Sequence, residues 1–188
     1  MSRRFTSELL RASRFPEDPR TLAFAGTIAR ALEANRSPLI RGLAEERFQR
    51  LMRTCFPGVA LRNATSGPAF GGSDEFDDLL SLLIDHSAPM DEAGSWLAHC
   101  IASAAMAEEH LWREMGLPSR SVLTNLFLLY FPVLASGNVG NMRWKKYLYR
   151  KLCERAGILA CRAPRCADCA DYAACFGPEE KTPATASC

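Results

Sequence analysis

The chain has 188 residues, 48% of them hydrophobic, and a formal net charge of +2, which is typical of a globular domain with a substantial core. So small a charge gives no electrostatic argument for a nucleic-acid partner. No stretch approaches the roughly 18 apolar residues of a membrane span, and the N-terminus lacks the apolar segment of a secretory signal. We therefore expect a cytoplasmic protein with neither a membrane nor a nucleic acid as its partner.

Helical periodicity dominates the first half of the chain, and strand signals are weak. The first two predicted helices cover 18–35 and 39–54, with Pro38 between them. Pro57 and Gly58 end the second helix and begin a loop over 57–73 that is rich in proline and glycine.

The later helices are predicted at about 73–86, 91–115, 119–131 and 141–156. Ser73 is a suitable N-cap for the first of these, and Gly157 ends the last. The prediction is an all-α protein, a single domain of about six helices with a C-terminal loop that binds a metal cluster. We divide it into a helical domain (1–157), a cysteine loop packed on that domain (158–180) and a flexible tail (181–188).

Four of the eight cysteines lie close together near the C-terminus, in the order Cys161-x4-Cys166-x2-Cys169-x5-Cys175. Thiolates this close along the chain can converge on one metal centre. Structural zinc usually takes two separated Cys-x2-Cys pairs, whereas unevenly spaced cysteines on one short segment suit an iron–sulfur cluster better. A redox dithiol at the central Cys-x2-Cys pair would leave the outer cysteines without a role. The spacing favours iron–sulfur and leaves zinc open.

Two arginines lie between the clustered cysteines, and three further cysteines lie elsewhere in the helical part of the chain. Arg162 and Arg165 would offset the negative charge of a thiolate-ligated cluster, although they also fit ordinary surface positions. Cys55, Cys100 and Cys153 lie in apolar or helical contexts and are expected to be small buried hydrophobic residues.

The predicted helix at 141–156 is strongly basic, with one acid, Glu154, against six cations. The cations are Arg143, Lys145, Lys146, Arg150, Lys151 and Arg155. Such a run is usually a solvated helix face. The alternative is a positive surface that attracts an oxyanion or docks an acidic partner.

Several segments of the chain resemble the NifQ family, which handles molybdenum in nitrogenase cofactor assembly. The most specific are Trp144–Gly157 and Cys161–Glu179, the second with its cysteine spacing and its Cys-Phe-Gly-Pro-Glu ending. His110–Arg120 and Asp78–His86 are also similar to the family. Together these segments cover about 75–180.

The resemblance implies an iron–sulfur protein that carries a molybdenum–iron–sulfur species and donates molybdenum for the iron–molybdenum cofactor of nitrogenase. The implied cluster is of the [3Fe-4S] or [4Fe-4S] type, with all four cysteines as the family's ligands. The implied partners are the cofactor scaffold with its iron-protein complex, and molybdate or a molybdenum-storage source. A three-iron cluster has a vacant corner lined with soft sulfides, which can accept another metal.

Among the three histidines, His110 lies in a segment that resembles the family, and we expect it first, then His86, to contact molybdenum or orient its ligands. The alternative for each is a histidine satisfied by a backbone carbonyl, which is favoured for His86 near a helix C-terminus. If 91–115 forms one helix, His99 and His110 lie about 16 Å apart along its axis, too far to share one ion.

Two other functions remain open from the sequence. One is an interaction module stabilised by zinc, and the other is an iron–sulfur protein that resembles DNA glycosylases. Glycosylases need a glycine-rich hairpin, and the nearest string, Phe56-Pro-Gly-Val-Ala60, lacks the second glycine. No phosphate loop, nucleophile elbow or His-Glu-x2-His motif is present. We therefore expect a metal carrier rather than an enzyme.

Overall fold

The computed structural model describes residues 2–63, 74–88, 91–158 and 166–179. Within these ranges the protein is helical throughout, with ten α-helices, one 3₁₀ helix and no strand. The all-α prediction is confirmed, whereas the predicted number of about six helices is wrong. None of the described helices combines the length and the apolar run that a bilayer crossing requires.

The helices are α1 (Ser2–Arg11), α2 (Pro19–Glu33), α3 (Glu45–Cys55), α4 (Asp74–Asp85), α5 (Glu92–Ala105), α6 (Leu111–Glu114), α7 (Arg120–Tyr130), α8 (Pro132–Gly137), α9 (Trp144–Arg155) and α10 (Tyr172–Phe176). The 3₁₀ helix, Cys166–Asp168, precedes α10. The chain divides into two compact units, Met1–Gly137 and Asn138–Cys188. The prediction that 158–180 packs on a domain over 1–157 stays a prediction.

Helix α2 is the centre of the first unit, where it packs against α1, α5 and α6. Its Phe24 and Ile28 are fully buried. Close packing depends on Gly26, because a methyl group added there would lie 2.1 Å from the backbone oxygen of Met115. Gly116 completes this contact and has φ of +61°, a conformation that favours glycine.

The N-termini of α2 and α5 are joined by one arginine. Asp18 caps α2 and accepts from the N–H of Arg20, while Asp91 caps α5 and accepts from the N–H of Gly94. The Arg20 guanidinium donates to both carboxylates. The two helix starts, 71 residues apart in sequence, are therefore held together by charged hydrogen bonds.

The predicted helix over 91–115 is wrong, because α5 ends at Ala105 and a separate short helix begins at Leu111. The break turns Glu114 into the protein, where its carboxylate accepts from the Arg36 guanidinium and from the N–H of Glu109. In one continuous helix that N–H would instead donate within the helix. His110 consequently lies at the N-cap of α6, not on the same helix as His99.

The start of α3 also differs from the prediction, since the helix begins at Glu45 rather than near residue 39. The buried Asn63 side chain donates to the carbonyls of Ile40 and Leu43 and accepts from the N–H of Ile40. These hydrogen bonds satisfy the backbone before α3 without a helix.

Two further helices were not predicted in the first unit. Helix α1 is short and precedes Pro16, and α8 begins at Pro132, where the sequence predicted only a stop. A proline lacks the N–H that helix interiors require, but the first turn of a helix does not use that donor. Pro132 therefore ends α7 and begins α8.

Candidate metal centre

Three of the four predicted cysteine ligands lie within the described part of the second unit. Cys166 begins the 3₁₀ helix, Cys169 follows it, and Cys175 lies in α10. Two backbone hydrogen bonds shape the segment: the N–H of Cys169 donates to the Cys166 oxygen and that of Tyr172 to the Cys169 oxygen, each at 3.1 Å. All three thiols are free and half-buried.

The fourth predicted ligand, Cys161, lies outside the described residues, as do Arg162 and Arg165. Among the residues that the structure describes, no three His, Cys, Asp or Glu side chains converge closely enough to hold a metal ion. The chemistry of the donor set still fits a soft metal or an iron–sulfur cluster, because its described thiols form no disulfide and are partly exposed to solvent.

The cysteines outside the motif are in different surroundings. Cys55 and Cys100 are buried in the first unit, as expected for small hydrophobic residues. Burial raises the pKa of the Cys55 thiol to about 11 and also raises that of Cys100. These thiols are therefore protonated and unreactive at neutral pH. Cys153 of α9 is half-buried, so its expected burial is wrong.

Arg143, at the N-cap of α9, holds the chain around Cys175. Its backbone N–H donates to the Cys175 oxygen at 2.8 Å. Its guanidinium donates to the oxygens of Ala174, Gly177 and Pro178 at 3.0–3.2 Å. Carbonyls at the end of a helix have no donor within the helix, and Arg143 supplies the donors at the end of α10.

Arg150, on the same helix, reaches the other described end of the cysteine segment. Its Nη1 lies 4.0 Å from the Sγ of Cys166. Its Nε donates to Glu154 at 2.8 Å, which orients the guanidinium. Glu154 also accepts from Lys151 at 2.7 Å. The hydrogen bond from Lys151 is the largest cause that lowers the pKa of Glu154, and Arg150 adds to it.

The Cys-Phe-Gly-Pro-Glu ending has a packing role in the second unit. The ring of Phe176 stacks on Tyr172 with centroids 4.6 Å apart. A methyl group added to Gly140 would lie 3.0 Å from the Phe176 ring, and one added to Gly177 would lie 2.5 Å from the oxygen of Ala173. A methyl group at Gly177 would therefore press on the backbone of α10, whereas one at Gly140 would meet only the ring of Phe176.

The two histidines singled out from the sequence lie in the first unit. The Nδ1 of His86 is 2.9 Å from the carbonyl oxygen of Leu82, the contact expected of a histidine at a helix C-terminus. His110 is half-buried at the start of α6. A contact of either ring with molybdenum stays a prediction. His99 is buried, and burial together with the charge of Arg47 lowers its pKa to about 4, so it is neutral at pH 7.

The first unit also contains a cavity of about 360 Å³ lined by both polar and apolar residues. Its lining includes Arg36 and the buried Glu114, which form an ion pair, together with Ser37 and Ser103. The Ser103 hydroxyl already accepts from the backbone N–H of Arg41 at 2.8 Å. No local sequence pattern reveals this cavity, because its polar groups come from separate segments.

The fold and the cysteine segment define a class: a helical protein that carries clustered cysteines on a short C-terminal segment anchored to one helix. A family model, NifQ, matches residues 23–177. The chain therefore belongs to the NifQ family, and the resemblance found in the sequence is confirmed.

Named relatives agree with this assignment. Protein NifQ of Azotobacter vinelandii is 37% identical over 155 residues, which is 76% of this chain and 80% of the relative. The protein NifQ homolog of Sinorhizobium fredii is 38% identical over 170 residues, 84% of this chain and 71% of the relative. Protein NifQ of Rhodobacter capsulatus is 36% identical over 123 residues, 65% of this chain and 68% of the relative. No solved structure matches the chain.

Proposed function

We propose that this protein is an iron–sulfur carrier that binds a molybdenum–iron–sulfur species and donates molybdenum for the biosynthesis of the nitrogenase iron–molybdenum cofactor. The observation that carries the proposal is the cysteine motif within a chain of the NifQ family. Its described thiols are free and half-buried, which lets them bind a metal centre that must also be released.

The ligands in this proposal are Cys161, Cys166, Cys169 and Cys175. Four thiolates on one segment are the donors that iron–sulfur clusters use. A cluster that needs only three of them leaves one thiolate for molybdenum, and molybdenum held by a soft sulfur site can pass to a partner. The protein therefore acts as a donor without a catalytic turnover of its own.

The partners in this proposal are a source of molybdenum, either molybdate or a storage protein, and the scaffold with the iron protein that builds the cofactor. His110 and then His86 are proposed to contact molybdenum or to orient its ligands. Arg162 and Arg165 are proposed to offset the charge of the cluster. Membership in the NifQ family favours the carrier over the DNA-glycosylase alternative.

The experiment compares metal contents after anaerobic purification from cells supplied with iron and molybdate. We expect Cys166→Ala to lose iron and the brown colour, because it removes a ligand. The matched control is Cys153→Ala, a half-buried cysteine of the same unit outside the motif, which should keep its iron. Full iron content in Cys166→Ala would contradict ligation by this residue.

A second variant tests the assignment of molybdenum. We expect His110→Ala to keep iron and lose molybdenum, and unchanged molybdenum would leave His110 with a structural role only. Zinc in place of iron in the unsubstituted protein would favour the zinc-stabilised module, since four thiolates also suit tetrahedral zinc.

A further inference from the structure

Two arginines, Arg143 at the N-cap of α9 and Arg150 within it, contact the cysteine segment near both of its described ends. Arg143 is bonded to the backbone on either side of Cys175, and Arg150 reaches the sulfur of Cys166. They are seven residues apart, about two helical turns, so they lie near one face of α9 and about 10 Å apart along its axis. The predicted basic helix, which the sequence left as a solvated face or an oxyanion surface, thus has one cation bonded to the backbone around Cys175 and one near the sulfur of Cys166.

We propose that Arg143 and Arg150 are positioning residues for the metal ligands, Arg143 through geometry and Arg150 through charge. The inference rests on the proposed function only in that the cysteines bind metal. The cysteine motif alone does not reveal that one arginine acts through its shape and the other through its charge.

The role of Arg143 depends on the shape of its guanidinium. Three carbonyl oxygens, of Ala174, Gly177 and Pro178, accept from Nη1, Nε and Nη2 respectively. A lysine ammonium has the same charge, but it is a compact point donor without this planar fork. The orientation of α10, and with it the placement of Cys175, therefore needs an arginine at position 143.

The role of Arg150 depends on its charge. At 4.0 Å the contact between Nη1 and the Cys166 sulfur is long for a hydrogen bond, so attraction between the cation and a metal-bound thiolate is its main contribution. Glu154 competes for the same guanidinium through Nε, but it leaves Nη1 directed at the sulfur. A lysine at position 150 would keep most of this attraction.

The test is an anaerobic titration of the metal-free protein with cobalt(II), whose thiolate charge-transfer absorption reports binding to cysteine. We expect Arg150→Gln to weaken cobalt binding about tenfold, the usual effect of removing a group that supports a ligand. Arg150→Lys should recover most of the loss. Lys146→Gln removes the same charge from an exposed position of α9 and should leave the affinity within about twofold.

Arg143 should respond differently to the same pair of substitutions. Arg143→Gln and Arg143→Lys should both weaken cobalt binding, each about tenfold, because neither residue reproduces the fork. Full recovery in Arg143→Lys would overturn the geometric role. The charge role would be overturned if Arg150→Gln and Lys146→Gln weakened cobalt binding equally. It would also be overturned if Arg150→Lys recovered none of the affinity.

Circular dichroism checks that each variant is folded. If the Arg143 variants lose their helical signal, the comparison of Arg150→Gln with Arg150→Lys decides the proposal. If the protein purified from cells contains no iron, but the variants still differ in cobalt affinity as predicted, the carrier function is refuted and the positioning roles stand. If Cys166→Ala binds cobalt as tightly as the unsubstituted protein, this cysteine is not a ligand and the role of Arg150 fails with it.

Discussion

Gly177 of the Cys-Phe-Gly-Pro-Glu ending is the position where one added methyl group should disturb the cysteine segment most selectively. In Gly177→Ala the new Cβ would lie 2.5 Å from the oxygen of Ala173, a backbone atom that cannot turn aside, and 3.4 Å from Nη2 of Arg143. The backbone at Gly177 has φ of −63° and ψ of 164°, which alanine adopts freely, so the effect comes from the clash alone.

The expected cost follows from what must move. Relieving the clash weakens the hydrogen bond from the Gly177 N–H to Ala173 at 2.9 Å and that from Arg143 to Gly177 at 3.2 Å. Overpacking and one lost hydrogen bond cost about 3 kcal/mol together. Alanine also restricts the unfolded chain more than glycine does, which raises the free energy of unfolding by about 1 kcal/mol. The net loss is about 2 kcal/mol, confined to the end of α10.

Amide hydrogen exchange followed by mass spectrometry measures this local stability. A loss of about 2 kcal/mol should make the amides of 172–177 exchange about thirtyfold faster. Gly140→Ala is the control, because its methyl group would meet the Phe176 ring at 3.0 Å, and a ring can turn. Equal exchange rates in Gly177→Ala and Gly140→Ala would refute a specific clash at Gly177. Exchange of these amides at unprotected rates before any substitution would refute the hydrogen-bonded end of α10 itself.

Three further predictions concern stability and reactivity. Folded, metal-free protein treated with iodoacetamide at pH 7 should remain unmodified at Cys55 and Cys100, as read by peptide mass spectrometry, because both thiols are buried and their pKa values are raised; the half-buried cysteines are expected to react once no metal occupies them. Burial raises the pKa of Asp18, but the hydrogen bonds and charge of Arg20 outweigh it and hold that pKa below 3.8. The stability from this pair is therefore complete above about pH 4 and lost on further acidification, so acid unfolding should be less steep in Asp18→Asn. Gly26→Ala should cost at least about 3 kcal/mol in urea unfolding, since the methyl group meets a backbone oxygen in the core.

The helices that the sequence predicted well are those whose signals are local. Helix α2 was expected at 18–35 and observed at Pro19–Glu33, and α9 was expected at 141–156 and observed at Trp144–Arg155. Both have apolar residues at helical spacing and clear residues at their ends. Short helices such as α10 have too few turns for periodicity to show.

The errors come from contacts between distant segments. The break after Ala105 accompanies the burial of Glu114 with Arg36, 78 residues away in sequence, and no local pattern reveals that pair. The late start of α3 depends on Asn63, which bonds to a backbone 20 or more residues before it. Periodicity alone predicted both helices too long, because it reflects the spacing of apolar residues and contains no information on buried polar partners.

The candidate ligands were predictable from the spacing of the cysteines, whereas the residues that support them were not. Six cations on one helix look alike in the sequence, and nothing there distinguishes Arg143 and Arg150 from the exposed Lys146. The structure separates them through three backbone carbonyls and one sulfur. Those acceptors lie 16 to 35 residues further along the chain, beyond the reach of helical periodicity.

The most direct test of the central claim is the content of iron and acid-labile sulfide per chain in protein purified without oxygen. We predict brown protein in which the two elements occur together, with molybdenum added when the cells receive molybdate. Folded protein that is colourless, poor in iron and sulfide and loaded with zinc would contradict it.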